Sequence, residues 1–276
     1  MMKKFFLITA ILAAAFSVFA ESNDARYYLE VGNEKLKLGQ SKDALGDFDK
    51  AIQLDPKLEE ALYNRGLVKG SMGDFMGAIF DFNRVIEINP KNAKAYSDRG
   101  RAKYGMQDYK GAVRDYDKSI ELDPADAEIF YNRGAVKVVL GDYKGAIKDY
   151  KKSIDLNPDF APAYFGRGFA RFKLGDNPGA ISDYNMLLAL YPDYADGYNN
   201  RGVVKYTTGD KDGALKDFSK AIELDPKIAM AYYMRGTVEE SLDMDKEAIK
   251  DFNAAGKLGY KQAFDKAKEL DGRISK

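Results

Sequence analysis

Ala127 to Phe160, AEIFYNRGAVKVVLGDYKGAIKDYKKSIDLNPDF, returns in recognisable form on both sides of itself at a spacing of 34 residues. Pro56, Pro90, Pro124, Pro158, Pro192 and Pro226 keep that spacing, and so does a glycine from Gly32 to Gly236. An alanine keeps it from Ala44 to Ala248, each followed four residues later by an aromatic, which is Tyr150 in the quoted stretch. A unit of this length cannot bury its apolar face alone and does so by stacking on its neighbours, so the period predicts a solenoid.

Within the stretch, Phe130, Gly134, Val138 and Leu140 recur at helical spacing until Gly141-Asp142 breaks the run. Tyr143, Ala146, Ile147, Tyr150, Ile154 and Leu156 form a second amphipathic run, halted at Asn157-Pro158 because the residue before proline is pushed out of the α region. Each unit is therefore a helical hairpin. Glycine and alanine let its two helices approach closely, and the aromatic fills the space beside them.

At these residues the chain resembles the tetratricopeptide repeat family, whose pattern places an aromatic at position 4, Gly at 8, Ala at 20, an aromatic at 24 and Pro at 32. The repeats in that frame are 25–58, 59–92, 93–126, 127–160, 161–194, 195–228 and 229–262. The resemblance implies an all-α fold, a right-handed α-solenoid of seven 34-residue helix-turn-helix repeats. It implies little about activity, since the repeat is a generic scaffold for holding partners.

The ends depart from the pattern. Residues 1–20 read as an export signal, with Lys3 and Lys4 before the apolar run Phe5 to Phe16 and small residues at Val18 and Ala20 for cleavage; an uncleaved N-terminal anchor is the alternative. Residues 21–24 are then a short N-terminal segment. The expected location is the periplasm or outside the cell. Repeat one carries Val31 where the other repeats carry Arg, and reads as an N-terminal cap. Repeat three has Gln107 at the turn glycine, a source of strain if the site needs positive φ. Repeat five has Asn177 before Pro178, expected to cap its second helix. Repeat seven has Tyr260 for the proline and Asp243 for the turn glycine, and residues 261–276 hold an amphipathic segment expected to close the array as a capping helix.

Three positions that are usually apolar in the family are charged here together. Position 7 is Arg65, Arg99, Arg133, Arg167, Arg201 and Arg235; position 11 is Lys35, Lys69, Lys103, Lys137, Arg171 and Lys205. Position 23 is aspartate throughout, from Asp47 and Asp81 through Asp115, Asp149, Asp183 and Asp217 to Asp251. Positions 7 and 11 lie one above the other on a helix. The matching carboxylates point to a structural ladder of buried ion pairs in preference to a basic ligand-binding surface, and leave open which repeat supplies each aspartate.

In the family, positions 2, 5, 9, 12 and 13 of the first helix line a concave ligand groove, bordered by position 6. Carried over, these give Tyr63, Asn64, Arg101, Tyr104, Tyr131, Asn132, Phe165, Phe169, Phe172, Asn200, Tyr206 and Tyr233 as candidate partner contacts. Phe165, Phe169 and Phe172 form a second apolar stripe on a helix whose core face is already supplied by Ala163, Tyr164, Gly168 and Ala170. Either a partner or a neighbouring helix must cover it. The asparagines suit main-chain amide recognition. A chaperone-tail clamp known in the family is matched at Asn33, Asn64 and Lys94, but Leu29 and Asp98 sit where it needs Lys and Arg.

The sequence holds no His and no Cys, which removes the commonest general base, the commonest metal ligand and the thiol nucleophile. There are 43 basic and 43 acidic residues; loss of Lys3 and Lys4 leaves the chain near neutral, with no basic surface for nucleic acid. The expectation is a non-enzymatic scaffold that takes an extended peptide or partner helix, with no cofactor, no metal and no membrane contact once the signal is removed. The alternative is a carbohydrate or cell-wall binder that stacks sugars on its groove aromatics.

Overall fold

A computed structural model describes residues 24–274, and the export signal expected over 1–20 lies outside them. The described residues are all-α, with no strand. They fall into two compact units, one ending at Ala125 and one beginning at Asp126. The first unit holds α1 (Ala25–Lys37), α2 (Ser41–Leu54), α3 (Glu59–Ser71), α4 (Phe75–Ile88), α5 (Ala93–Gly105) and α6 (Tyr109–Leu122). The second holds α7 (Ala127–Val139), α8 (Tyr143–Leu156), α9 (Ala161–Lys173), α10 (Asn177–Leu190), α11 (Ala195–Thr207), α12 (Lys211–Leu224), α13 (Ala229–Glu240), α14 (Asp245–Lys257) and α15 (Gln262–Ile274). In each unit consecutive helices pair as hairpins, and the first helices of adjacent repeats also touch, so those first helices share one face.

The hairpin closes because its glycine admits the aromatic of its second helix. Tyr150 is buried, and a Cβ at Gly134 would sit 3.0 Å from its ring. The turn needs a left-handed residue: Gly141 has φ +78°, Gln107 adopts φ 63° and so carries the strain expected there, and Asp243 adopts φ 60° at the same site. The next residue then caps the second helix. Asp142 Oδ1 accepts from the Gly145 amide at 2.9 Å, and Asp74, Asp108, Asp176 and Asp210 act alike. The cap in repeat five is therefore Asp176; Asn177, expected in that role, is already the first helical residue ahead of Pro178. The turn hydrogen bonds fix the left-handed residue one step before the cap, which places it at the aspartate.

The charged positions meet inside each repeat. Asp149, 4% exposed on α8, accepts from Arg133 Nη2 at 2.5 Å and faces Lys137 Nζ at 2.7 Å, both on α7. Asp81 is held by Arg65 and Lys69 at 2.5 and 2.8 Å, Asp115 by Arg99 and Lys103 at 2.6 and 2.7 Å. Asp183 meets Arg167 and Arg171 at 2.7 and 2.9 Å, and Asp217 meets Arg201 and Lys205 at 2.7 and 2.8 Å. Asp47, whose repeat has Val31 in place of the position-7 arginine, pairs with Lys35 at 2.6 Å. Several arginines also reach the preceding repeat: Arg65 bonds Asp49, Arg99 bonds Asn83 and Arg201 bonds Asn185, each at 2.7 Å. A guanidinium can bridge three helices in this way because its donors form a rigid fork, whereas lysine offers one point charge.

At the C-terminal end α15 lays Ala263, Ala267 and Leu270 against Phe252 and Ala255 of α14. Its outer face is charged, which leaves the last repeat with a polar exterior.

Candidate functional site

The first-helix face of the first unit carries a cavity of about 290 Å³ between α3 and α5. Gly66 and Gly70 open it by contributing no side chain, Leu67, Phe75 and Phe82 form its apolar wall, and Asp98 and Arg101 its polar edge. The Tyr63 hydroxyl donates to Asp98 Oδ2 at 2.5 Å, and Arg101 Nη2 donates to Asp98 Oδ1 at 2.6 Å. Burial, then the bond to Asp98, pushes the Tyr63 phenol up, so it remains a donor. Asp98, the residue that breaks the chaperone-clamp pattern, thus serves as the local acceptor. Asn64 donates to Asn33 Oδ1 at 2.7 Å, and Tyr104 packs beside Tyr109 with ring centroids 5.6 Å apart.

In the second unit the position-5 aromatics lean on the turns between repeats. Tyr131 meets Phe160 edge-on at 5.3 Å, Phe165 meets Tyr194 at 5.7 Å, and Tyr233 meets Tyr260 at 4.7 Å. Phe165 and Phe172 pack against the buried cluster around Tyr164, Tyr184 and Leu187, while Phe169 lies half-buried beneath Lys173, whose Nζ is 5.2 Å from the ring centroid. Tyr206 packs against the cluster of Ala214, Phe218 and Val238. Asn132 and Asn200 are half-buried on the same first helices.

A cavity of about 330 Å³ opens between α7 and α9, lined by Tyr131, Ala161, Pro162, Phe165, Leu187, Tyr191 and Tyr194. It joins Tyr131 to Phe165 across repeats four and five; Phe169, Phe172 and Tyr206 do not line it. Tyr191 and Tyr194, which a reading of helix faces leaves out, stand 52% and 40% exposed in the turn between α10 and α11. A signal for Tyr191 exists in the sequence, because repeats one to four and six carry Asp or Asn before the proline and only repeat five carries an aromatic. Among the described residues neither hydroxyl has a hydrogen-bond partner, and burial, then Asp196, then Tyr131 hold the Tyr194 phenol above its ordinary value.

Among the described residues no cluster of acidic side chains could hold a metal ion, and no helix is long and apolar enough to cross a membrane. The "TPR repeat" family model matches residues 32–73, 100–139, 136–175 and 170–209, and the "Tetratricopeptide repeat" model matches 59–92 and 195–228. No curated protein matches the chain. Among solved structures, MamA is 31% identical over 59% of this chain and 96% of its own, with a TM-score of 0.56. A tetratricopeptide repeat protein from Parabacteroides merdae is 20% identical over 89% of this chain and 98% of its own, with a TM-score of 0.67. YrrB, described as a TPR protein with an unusual peptide-binding site, is 24% identical over 67% and 95%, with a TM-score of 0.59.

Proposed function

The chain belongs to the tetratricopeptide repeat family, and from that premise we propose that it is an exported, non-enzymatic scaffold whose first-helix face holds an extended peptide or a partner helix. The observation that supports this most directly is the pocket at Tyr131 and Phe165. It is apolar, it joins Tyr131 and Phe165 of two first helices, and two of its rings, Tyr191 and Tyr194, are about half exposed with unpaired hydroxyls. Rings of this kind anchor partners, since they bring large rigid area at small entropic cost and concentrate the binding energy of an interface. YrrB shares the fold and is described with a peptide-binding site. Carbohydrate stacking on the same rings is the second reading, favoured by the number of tyrosines.

The test compares the wild type with a Tyr191→Ala, Tyr194→Ala variant as bait for envelope proteins and for a glycan array. Both rings are too exposed for their loss to unfold the chain, so circular dichroism and melting should stay near wild type while a bound protein is lost. Retention of every bound protein by the variant would remove the pocket from the reading, and selective loss of a glycan would establish the carbohydrate alternative. Export is tested separately by sequencing the N-terminus of the chain recovered from cells, where a start at Glu21 is expected.

A further inference from the structure

We propose that the pocket of repeats four and five takes a cationic side chain, lysine or arginine, from the bound peptide. This rests on the reading of the first-helix face as a peptide-binding surface. A cavity of about 330 Å³ lies at the small end of ligand-pocket volumes, about 300 to 1,000 Å³, which suits one anchoring side chain. Tyr131, Phe165, Tyr191 and Tyr194 supply ring faces, and no charged residue lines the wall. Aromatic faces attract cations electrostatically, and the attraction strengthens where water is excluded.

Charge carried beside two of the lining rings favours a positive guest. Asp193 lies in the turn between Tyr191 and Tyr194, and Asp196 is close enough to Tyr194 to raise its phenol. Both carboxylates are exposed, and among the described residues neither forms an ion pair. The cation that senses Asp193, Lys220 on α12, is already paired with Glu223 at 2.7 Å. The start of α9 at Ala161-Pro162 contributes a positive dipole end, but the last turn of α10 at Leu187 to Leu190 contributes a negative one beside it. These offset, and the two carboxylates decide. An aliphatic or proline guest would leave them unused.

A random 12-residue peptide display library panned on the purified protein tests the assignment. The best binder is synthesised together with a version in which each Lys or Arg is replaced by norleucine, and affinities are read by fluorescence anisotropy. Enriched peptides should carry Lys or Arg. Binding should fall about tenfold with norleucine and by a similar factor in an Asp193→Asn, Asp196→Asn protein, the loss expected when a desolvated cation–π contact and its counter-charges are removed. Affinity unchanged by norleucine, unchanged in the asparagine protein, or enrichment dominated by proline would overturn the cationic assignment while leaving the peptide-binding face standing. Failure to retain any peptide, or equal retention by the Tyr191→Ala, Tyr194→Ala protein, would sink the peptide-binding reading itself and the inference with it.

Discussion

Repeats four and seven carry the same Arg–Asp pair between their helices but differ in the third partner. In repeat four Asp149 lies between Arg133 and Lys137. In repeat seven Asp251 accepts from Arg235 Nε at 2.6 Å, and the residue at the lysine's position is Glu239, 8% exposed, with its Oε2 unbonded. The Arg235 guanidinium reaches Glu239 only at 3.9 Å because it is engaged by Asp251. Burial, then the Asp251 charge, push the Glu239 carboxyl up to about 7. The two repeats share a fold, so the apolar layer and the Arg–Asp bond suffice for the hairpin, while a lysine at position 11 adds a second bond to the buried aspartate and a glutamate there adds a second buried carboxylate beside it.

The largest effect is expected from removing the shared element. Asp149→Ala leaves Arg133 and Lys137 facing each other in a buried site and should cost about 3–5 kcal/mol in denaturant unfolding, against under about 0.5 kcal/mol for the exposed control Asp159→Ala. Equal losses would mean the ladder is solvent-screened. Lys137→Glu transplants the arrangement of repeat seven into repeat four; it should destabilise by about 2–3 kcal/mol at pH 8 and by less at pH 5, where one carboxyl of the pair takes up a proton.

Wild-type repeat seven should already show a muted form of that dependence. Glu239 has a folded-state value above its unfolded one, so its contribution is fully present below about pH 4.5 and is lost as the pH rises through about 7. Stability should fall by about 1–2 kcal/mol between pH 5 and pH 8.5, and Glu239→Gln should flatten that slope; an unchanged slope in the Gln variant would assign the titration to another group. The smallest expected change is at the turns. Gly141 takes the left-handed conformation freely whereas Asp243 is held in it at φ 60°, so Asp243→Gly should add about 0.5 kcal/mol.

The charge ladder was legible because it recurs in phase: Asp at position 23 in all seven repeats, Arg at position 7 in six and a basic residue at position 11 in six, on two faces that must pack, can only be one another's partners. Which repeat supplies the aspartate was not legible, since sequence spacing is compatible with contacts to either neighbour, and only the packing of the hairpin brings positions 7, 11 and 23 of one repeat together. Tyr131 and Phe165 were legible as residues on first-helix faces, and both line one cavity. Tyr191 escaped that reading because it lies outside any helix, in a turn whose path returns it to the first-helix face. The cap of repeat five was misplaced by one residue for a related reason: Asn177-Pro178 looks like a start, but the turn geometry inherited from Gly175 sets the cap at Asp176.

The sequence by itself determined the hairpin, its period and its closing helix, because those follow from local spacing of apolar, glycine and proline residues and are repeated often enough to leave one solution. Only the tertiary structure decided that the arginines bridge three helices, that Glu239 stands where a lysine would, and that Tyr131, Phe165, Tyr191 and Tyr194 enclose one cavity. Each of these depends on distances between residues of different helices or turns, which the periodic pattern constrains on average and individual side chains settle.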